Sequence, residues 1–65
     1  MNTYELQARM KKRDALVMAL RRQGVSAATA RAFTLSQWME AADAARVKLP
    51  SAETRAMVIE CLEGR

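Results

Sequence analysis

The sequence has no histidine and a single cysteine, Cys61. One cysteine cannot form an intramolecular disulfide, and without histidine the common Cys/His zinc sites are excluded. The same absence leaves Cys61 without the neighbouring base that activates cysteine nucleophiles. We therefore expect no metal, no cofactor and no catalytic residue, and we interpret the protein as a non-enzyme.

Long apolar runs are missing as well. No stretch approaches the ~20 apolar residues of a membrane-spanning helix, and the N-terminal residues are too polar for a signal peptide. A lone cysteine suits a reducing compartment. These absences predict a cytoplasmic protein that makes no membrane contact.

Glycine and proline are scarce, with two glycines and one proline in the chain. Neither occurs among the helix formers of residues 3–23, so this stretch predicts a long first helix. Gly24 and Pro50 mark the two clearest breaks, because glycine ends helices readily and proline disfavours a helical residue before it.

Serine and threonine residues at three positions are placed to begin further helices. No segment alternates with the period of a strand. The sequence therefore predicts a single all-α domain over residues 1–65, a compact bundle of three to four short helices with a helix-turn-helix-like corner at Gly24–Ser26. The caps are Ser26, Thr34 and Ser51, and the helices that follow them cover residues 27–33, 35–46 and 52–63.

The junction before the third helix carries the strongest local pattern. Thr34 and Gln37 have the spacing of a capping box, and Phe33 and Trp38 lie at the positions of a hydrophobic staple. These rings are two of the three aromatic residues in the chain. We therefore expect this junction to anchor the core.

The first helix has an apolar stripe that a charged residue interrupts. Asn2 and Glu5 predict a cap at its start. Arg13 falls within the stripe, so either its aliphatic stem carries the charge outward or the first three turns project beyond the core. The stripe consists of Leu6, Met10, Val17 and Leu20, with Leu16 at its edge.

The third and fourth helices each predict one buried face from helical spacing. On the fourth helix this face consists of Val58, Ile59 and Leu62. On the third helix it consists of Leu35, Trp38, Met39 and Ala42, with Ala45 at its margin.

A second subunit is the remaining way to reinforce a chain this small. A domain of this size buries only about 60% of the surface that its unfolded form exposes, and disulfides and metals are already excluded. The first helix also carries a small-residue stripe of Tyr4, Ala8, Ala15 and Ala19, and Met18 lies opposite its core stripe. We predict a homodimer with Tyr4 and Met18 at the interface.

Positive charge is concentrated in the first helix. The chain has 11 Lys and Arg residues against 7 Asp and Glu residues, a net charge of +4. Residues 1–24 account for this entire excess, because the remaining residues hold equal numbers of bases and acids. A basic helix of this kind contacts phosphates in a sequence-tolerant and salt-dependent way. The predicted phosphate contacts are Arg9, Lys11, Lys12, Arg13, Arg21, Arg22 and Arg31.

Two functions remain open at this point. The first is a small regulatory protein that binds DNA or RNA through the basic helix and the corner at Gly24–Ser26. The alternative is an inhibitor or adaptor that docks a helical face on an acidic partner protein. The corner itself is either a DNA-reading helix-turn-helix or an ordinary αα-corner. The alanines among residues 27–33 count against the first, because sequence-specific readers present several Arg, Asn or Gln side chains there.

Overall fold

Four α-helices make up the domain, as seen in a computed structural model that describes residues 3–64. The predicted cap at Asn2 lies outside these described residues. The radius of gyration of 11.0 Å is close to the roughly 11 Å expected for a compact chain of this length. The prediction of a compact all-α bundle is confirmed, with helices α1 Thr3–Arg22, α2 Ala27–Arg31, α3 Leu35–Ala45 and α4 Ala52–Leu62.

The corner between α1 and α2 forms as the sequence predicts. Gly24 has a φ of 73°, in the left-handed region that glycine enters at little cost. Its N–H donates to the carbonyl of Arg21, and the next N–H, of Val25, donates to the carbonyl of Leu20. This pair of bonds is the Schellman motif. Ser26 then caps α2 by accepting from the N–H of Thr29 at 3.2 Å.

The junction before α3 is also confirmed. The Thr34 hydroxyl accepts from the N–H of Gln37 at 3.2 Å, and the Gln37 side chain accepts from the N–H of Thr34 at 2.8 Å. The rings of Phe33 and Trp38 meet edge to face with their centroids 5.2 Å apart. The capping box thus fixes the start of α3 while the ring pair seals the adjacent core.

Helix α1 is the element against which α3 and α4 pack, and α2 covers part of α4. Arg9 contacts Glu53 near the start of α4, and Arg21 contacts Cys61 near its end, so α1 and α4 run in the same direction. The buried core draws on all four helices and consists of Leu16, Val17, Leu20, Ala30, Trp38, Ala41, Ala42 and Val58.

The predicted apolar stripe of α1 is buried only in its C-terminal half. Leu6 and Met10 are 46% and 39% exposed, whereas Leu16 and Leu20 are fully buried. The reason is length: the 20 residues of α1 span about 30 Å, and the 11 residues of α3 or α4 about 17 Å. The exposure of Leu6 and Met10 fits projection of the first turns, while the Arg13 side chain is only 23% exposed and so also fits an aliphatic stem that packs against the fold.

The predicted core face of α3 is wrong at two positions. Leu35 and Met39 are 58% and 54% exposed, while Trp38, Ala41 and Ala42 are buried. Helix α3 turns its alanine-rich side toward α1, and alanines allow a neighbouring backbone to approach closely. On α4 the predicted residues face the core but differ in burial, since Val58 is fully buried and Ile59 is half-buried.

Replacing Trp38 by alanine should remove most of the margin that keeps the chain folded. Trp38 is 4% exposed, and deleting a buried aromatic side chain costs about 3–5 kcal/mol. Urea denaturation followed by far-UV circular dichroism measures the loss. Met39→Ala is the control, because Met39 is on the same helix and exposed. Equal unfolding midpoints for the two variants would contradict this core assignment.

Candidate interaction surface

Two of the predicted phosphate contacts, Arg21 and Arg31, lie at the end of α4. The Arg21 guanidinium donates from Nη2 to the carbonyl oxygen of Cys61 at 2.9 Å. Arg31, at the end of α2, forms an ion pair with Glu63, which caps α4. Cations next to the C-terminal end of a helix are favoured by the helix dipole. These two arginines therefore tie α1 and α2 to α4.

Two further predicted contacts also have carboxylate partners. Arg9 lies 3.4 Å from Glu53 at the start of α4, and Arg13 lies 2.9 Å from the neighbouring Asp14. Exposed ion pairs of this kind contribute only about 0–1 kcal/mol each. Their main effect here is on surface charge, because each partner neutralises a base on α1.

The other three predicted phosphate contacts also lie on α1. Lys11 and Arg22 are exposed and Lys12 is half-buried. Within the described residues, the structure places no hydrogen-bonding or ion-pair partner against any of these three side chains. These three, and Arg21 with its uncharged carbonyl partner, retain their positive charge on α1.

Helix α2 presents few side chains that could contact the edge of a nucleic-acid base. It is five residues long, its exposed positions are Ala28, Thr29 and Arg31, and the residue after it is the exposed Ala32. The Ser26 hydroxyl donates to that of Thr29 at 3.1 Å, and Arg31 pairs with Glu63. The corner at Gly24–Ser26 therefore forms, but α2 presents no arginine, asparagine or glutamine that is free to read a base.

A groove of about 450 Å³ separates α1 from the C-terminal end of α3. Four alanines, one exposed methionine and two arginines line it. The α1 side consists of Ala15, Met18, Ala19 and Arg22, and the α3 side of Ala44, Ala45 and Arg46.

Sequence reasoning missed the α3 side of this groove. Arg46 has a φ of 59° and is the one non-glycine residue with positive φ in the described chain. The N–H groups of Arg46 and Val47 complete a Schellman pair on the carbonyls of Asp43 and Ala42. A glycine would have signalled this turn, but an arginine in the left-handed region gives no such signal.

The two predicted interface residues are both open to solvent. Tyr4 is 79% exposed and Met18 is 56% exposed. Tyr4 borders a second, smaller hollow of about 150 Å³ on the projecting turns of α1, together with Gln7, Ala8 and Lys11. Their place at a subunit interface stays a prediction.

Within residues 3–64, no group of three or more acidic, cysteine or histidine side chains is placed to hold a metal ion. In the same range, none of the helices has the length and apolarity that crossing a membrane requires. Comparisons with protein-family models, with curated protein sequences and with solved structures give no match.

Arg21 and Arg22 are neighbours with different roles, and alanine at each should separate them. Arg21→Ala removes a bond between α1 and α4, so we expect a loss of about 0.5–1.5 kcal/mol in the free energy of unfolding. Arg22→Ala is the matched control and should change that free energy by no more than ~0.5 kcal/mol. Urea denaturation measures both. A larger loss for Arg22→Ala would show that the ion-pair and hydrogen-bond assignments are wrong.

Proposed function

We propose that this chain is a small non-enzymatic binding protein. It docks on another protein through the open face of α1, which is the side that carries Lys11, Met18 and Arg22 and is turned away from the core. The observation that carries the proposal is the groove between α1 and α3, which Met18, 56% exposed, lines together with four alanines. Unbranched thioether side chains suit adaptable protein-binding surfaces. An inhibitor or adaptor would act in this way, by covering a partner's surface.

The distribution of charge supports a protein partner over a nucleic acid. Arg9, Arg13, Arg21 and Arg31 already contact groups of this chain. Breaking such contacts to reach phosphates would forfeit part of the gain from each new ion pair. The apolar side chains on α1 would also gain nothing from a sugar-phosphate backbone, whereas burial against a protein removes their surface from water.

Nucleic-acid binding remains the second candidate because Lys11 and Lys12 are unpaired within the described residues and adjacent in sequence. Together with Arg22 they would contact phosphates from one helix. Binding of this kind would be independent of base sequence, because such contacts position a protein without reading bases. Contact through α2 is not part of this candidate.

Replacing Met18 by aspartate tests whether this face binds a protein. A tagged chain should retain a defined set of proteins from extracts of the cells that encode it, and Met18→Asp should lose that set, because a carboxylate in the groove opposes burial. Met39→Asp is the matched control, since Met39 has nearly the same exposure on α3 but does not line the groove. Quantitative mass spectrometry compares the three. Retention of the same proteins by Met18→Asp would contradict a protein-docking role for this face.

The second prediction separates the two candidates. A labelled random duplex titrated with the protein should show no micromolar binding at near-physiological salt if the partner is a protein. If the partner is a nucleic acid, binding should be salt-dependent. The double variant Lys11→Ala/Lys12→Ala should then reduce the slope of log affinity against log salt by ~1.8, because each phosphate contact contributes about 0.9. Tight binding that this variant weakens would favour the nucleic-acid candidate.

A further inference from the structure

The open face of α1 has the spacing of a coiled-coil seam. Six positions along α1 follow one another at alternating intervals of four and three residues, which is the a/d pattern of a heptad repeat. The four larger side chains at these positions are exposed, and one of the two alanines is half-buried. The seam consists of Tyr4, Ala8, Lys11, Ala15, Met18 and Arg22.

This seam differs from the core stripe of α1, since Leu16 and Leu20 lie on the other side of the helix and are fully buried. Both hollows described above lie along the seam: Tyr4, Ala8 and Lys11 border one, and Ala15, Met18 and Arg22 border the other. Alternation of small and long residues provides holes for the side chains of a second helix. A helix lying along the seam would also contact the end of α3 at Arg46.

A second copy of this chain is a poor occupant for electrostatic reasons. In a parallel pair, each seam residue meets its own copy, so Lys11 faces Lys11 and Arg22 faces Arg22. In an antiparallel pair centred on the seam, residues 11–14 of both copies gather around the two-fold axis, and their three bases and one acid give each copy a net charge of +2 there. Like charges at such short distances oppose association. An occupant with the opposite charge has no such penalty.

We propose that the seam of α1 binds an acidic amphipathic helix of a partner protein as a two-stranded coiled coil. This inference rests on the proposed protein-binding function and names the chemistry of the partner. Leucine-sized side chains of the partner pack over Ala8 and Ala15. Its carboxylates reach the ammonium of Lys11 and the guanidinium of Arg22, whose aliphatic stems cover the partner's apolar residues.

The charged side chains along the seam favour this chemistry. Arg22 and Arg46 line the groove, and Lys11 borders the other hollow, three helical turns from Arg22 on the same seam. Glu5, Asp14 and Asp43 are each next in sequence to a residue of the seam or the groove, and the carboxylate of Asp14 is bound by Arg13 at 2.9 Å. An acidic helix therefore meets three cations along one side.

The test uses two synthetic peptides of three heptads with leucine at a and d. One has glutamate at e and g, and the other has lysine at those positions, so the two differ only in charge. Fluorescence anisotropy of each labelled peptide measures its affinity for the parent chain. We expect the glutamate peptide to bind at least about tenfold more tightly than the lysine peptide.

Two variants locate the site. Met18→Asp should weaken the glutamate peptide by about tenfold or more, while Met39→Asp should leave its affinity unchanged. The double variant Lys11→Glu/Arg22→Glu, checked for folding by circular dichroism, should prefer the lysine peptide. Reversal of the preference would place the carboxylates of the partner opposite these two positions.

Several outcomes would overturn the proposal. Equal binding of the two peptides by the parent chain would remove the acidic specificity, and this comparison needs no variant. A stable dimer in sedimentation equilibrium that Met18→Asp dissociates would make a second copy the occupant. Displacement of the glutamate peptide by a random duplex would favour nucleic acid. If cellular proteins are still retained in a Met18-dependent way while the peptides show no charge preference, the proposed function stands and this inference fails.

Discussion

The fold depends on the contact between the C-terminal half of α1 and the two helices beside it. Leu16 and Leu20 are fully buried there, in one core cluster with Trp38 of α3 and Val58 of α4. Both α3 and α4 are about half as long as α1. A core placed at one end of α1 therefore leaves the other end uncovered. The Arg9–Glu53 contact marks how far α4 reaches along it.

Charge is arranged around this core in two ways. Arg21 and Arg31 hold the C-terminal end of α4, where the helix dipole favours cations. Lys11 and Arg22 remain on the open side of α1, among alanines and next to Met18. Some of the positive charges of this small protein therefore stabilise the fold, and others remain on its surface. The surface that results is both cationic and apolar, a combination that suits a protein partner of opposite charge.

The parts of the fold that depend on local chemistry could be predicted from the sequence. Gly24 and the Thr34–Gln37 capping box fix turns through bonds to residues within a few positions, and both form. The buried face of α3 could not be predicted, because overlapping stripes through Leu35 or through Ala41 fit helical spacing equally well. Only the position of α1 decides between them. The groove was missed for the same reason, since it needs α1 and α3 together and a left-handed Arg46.

Amide hydrogen exchange along α1 tests the central claim, that a core at one end of this helix leaves its first turns uncovered. In the free protein, the amides of residues 16–20 should exchange slowly and those of residues 8–10 much faster, since only the former lie over the core. Addition of the acidic peptide should slow exchange at residues 8–10. Uniformly slow exchange along α1 in the free protein would contradict the account, because the first turns would then be covered by something the fold does not provide.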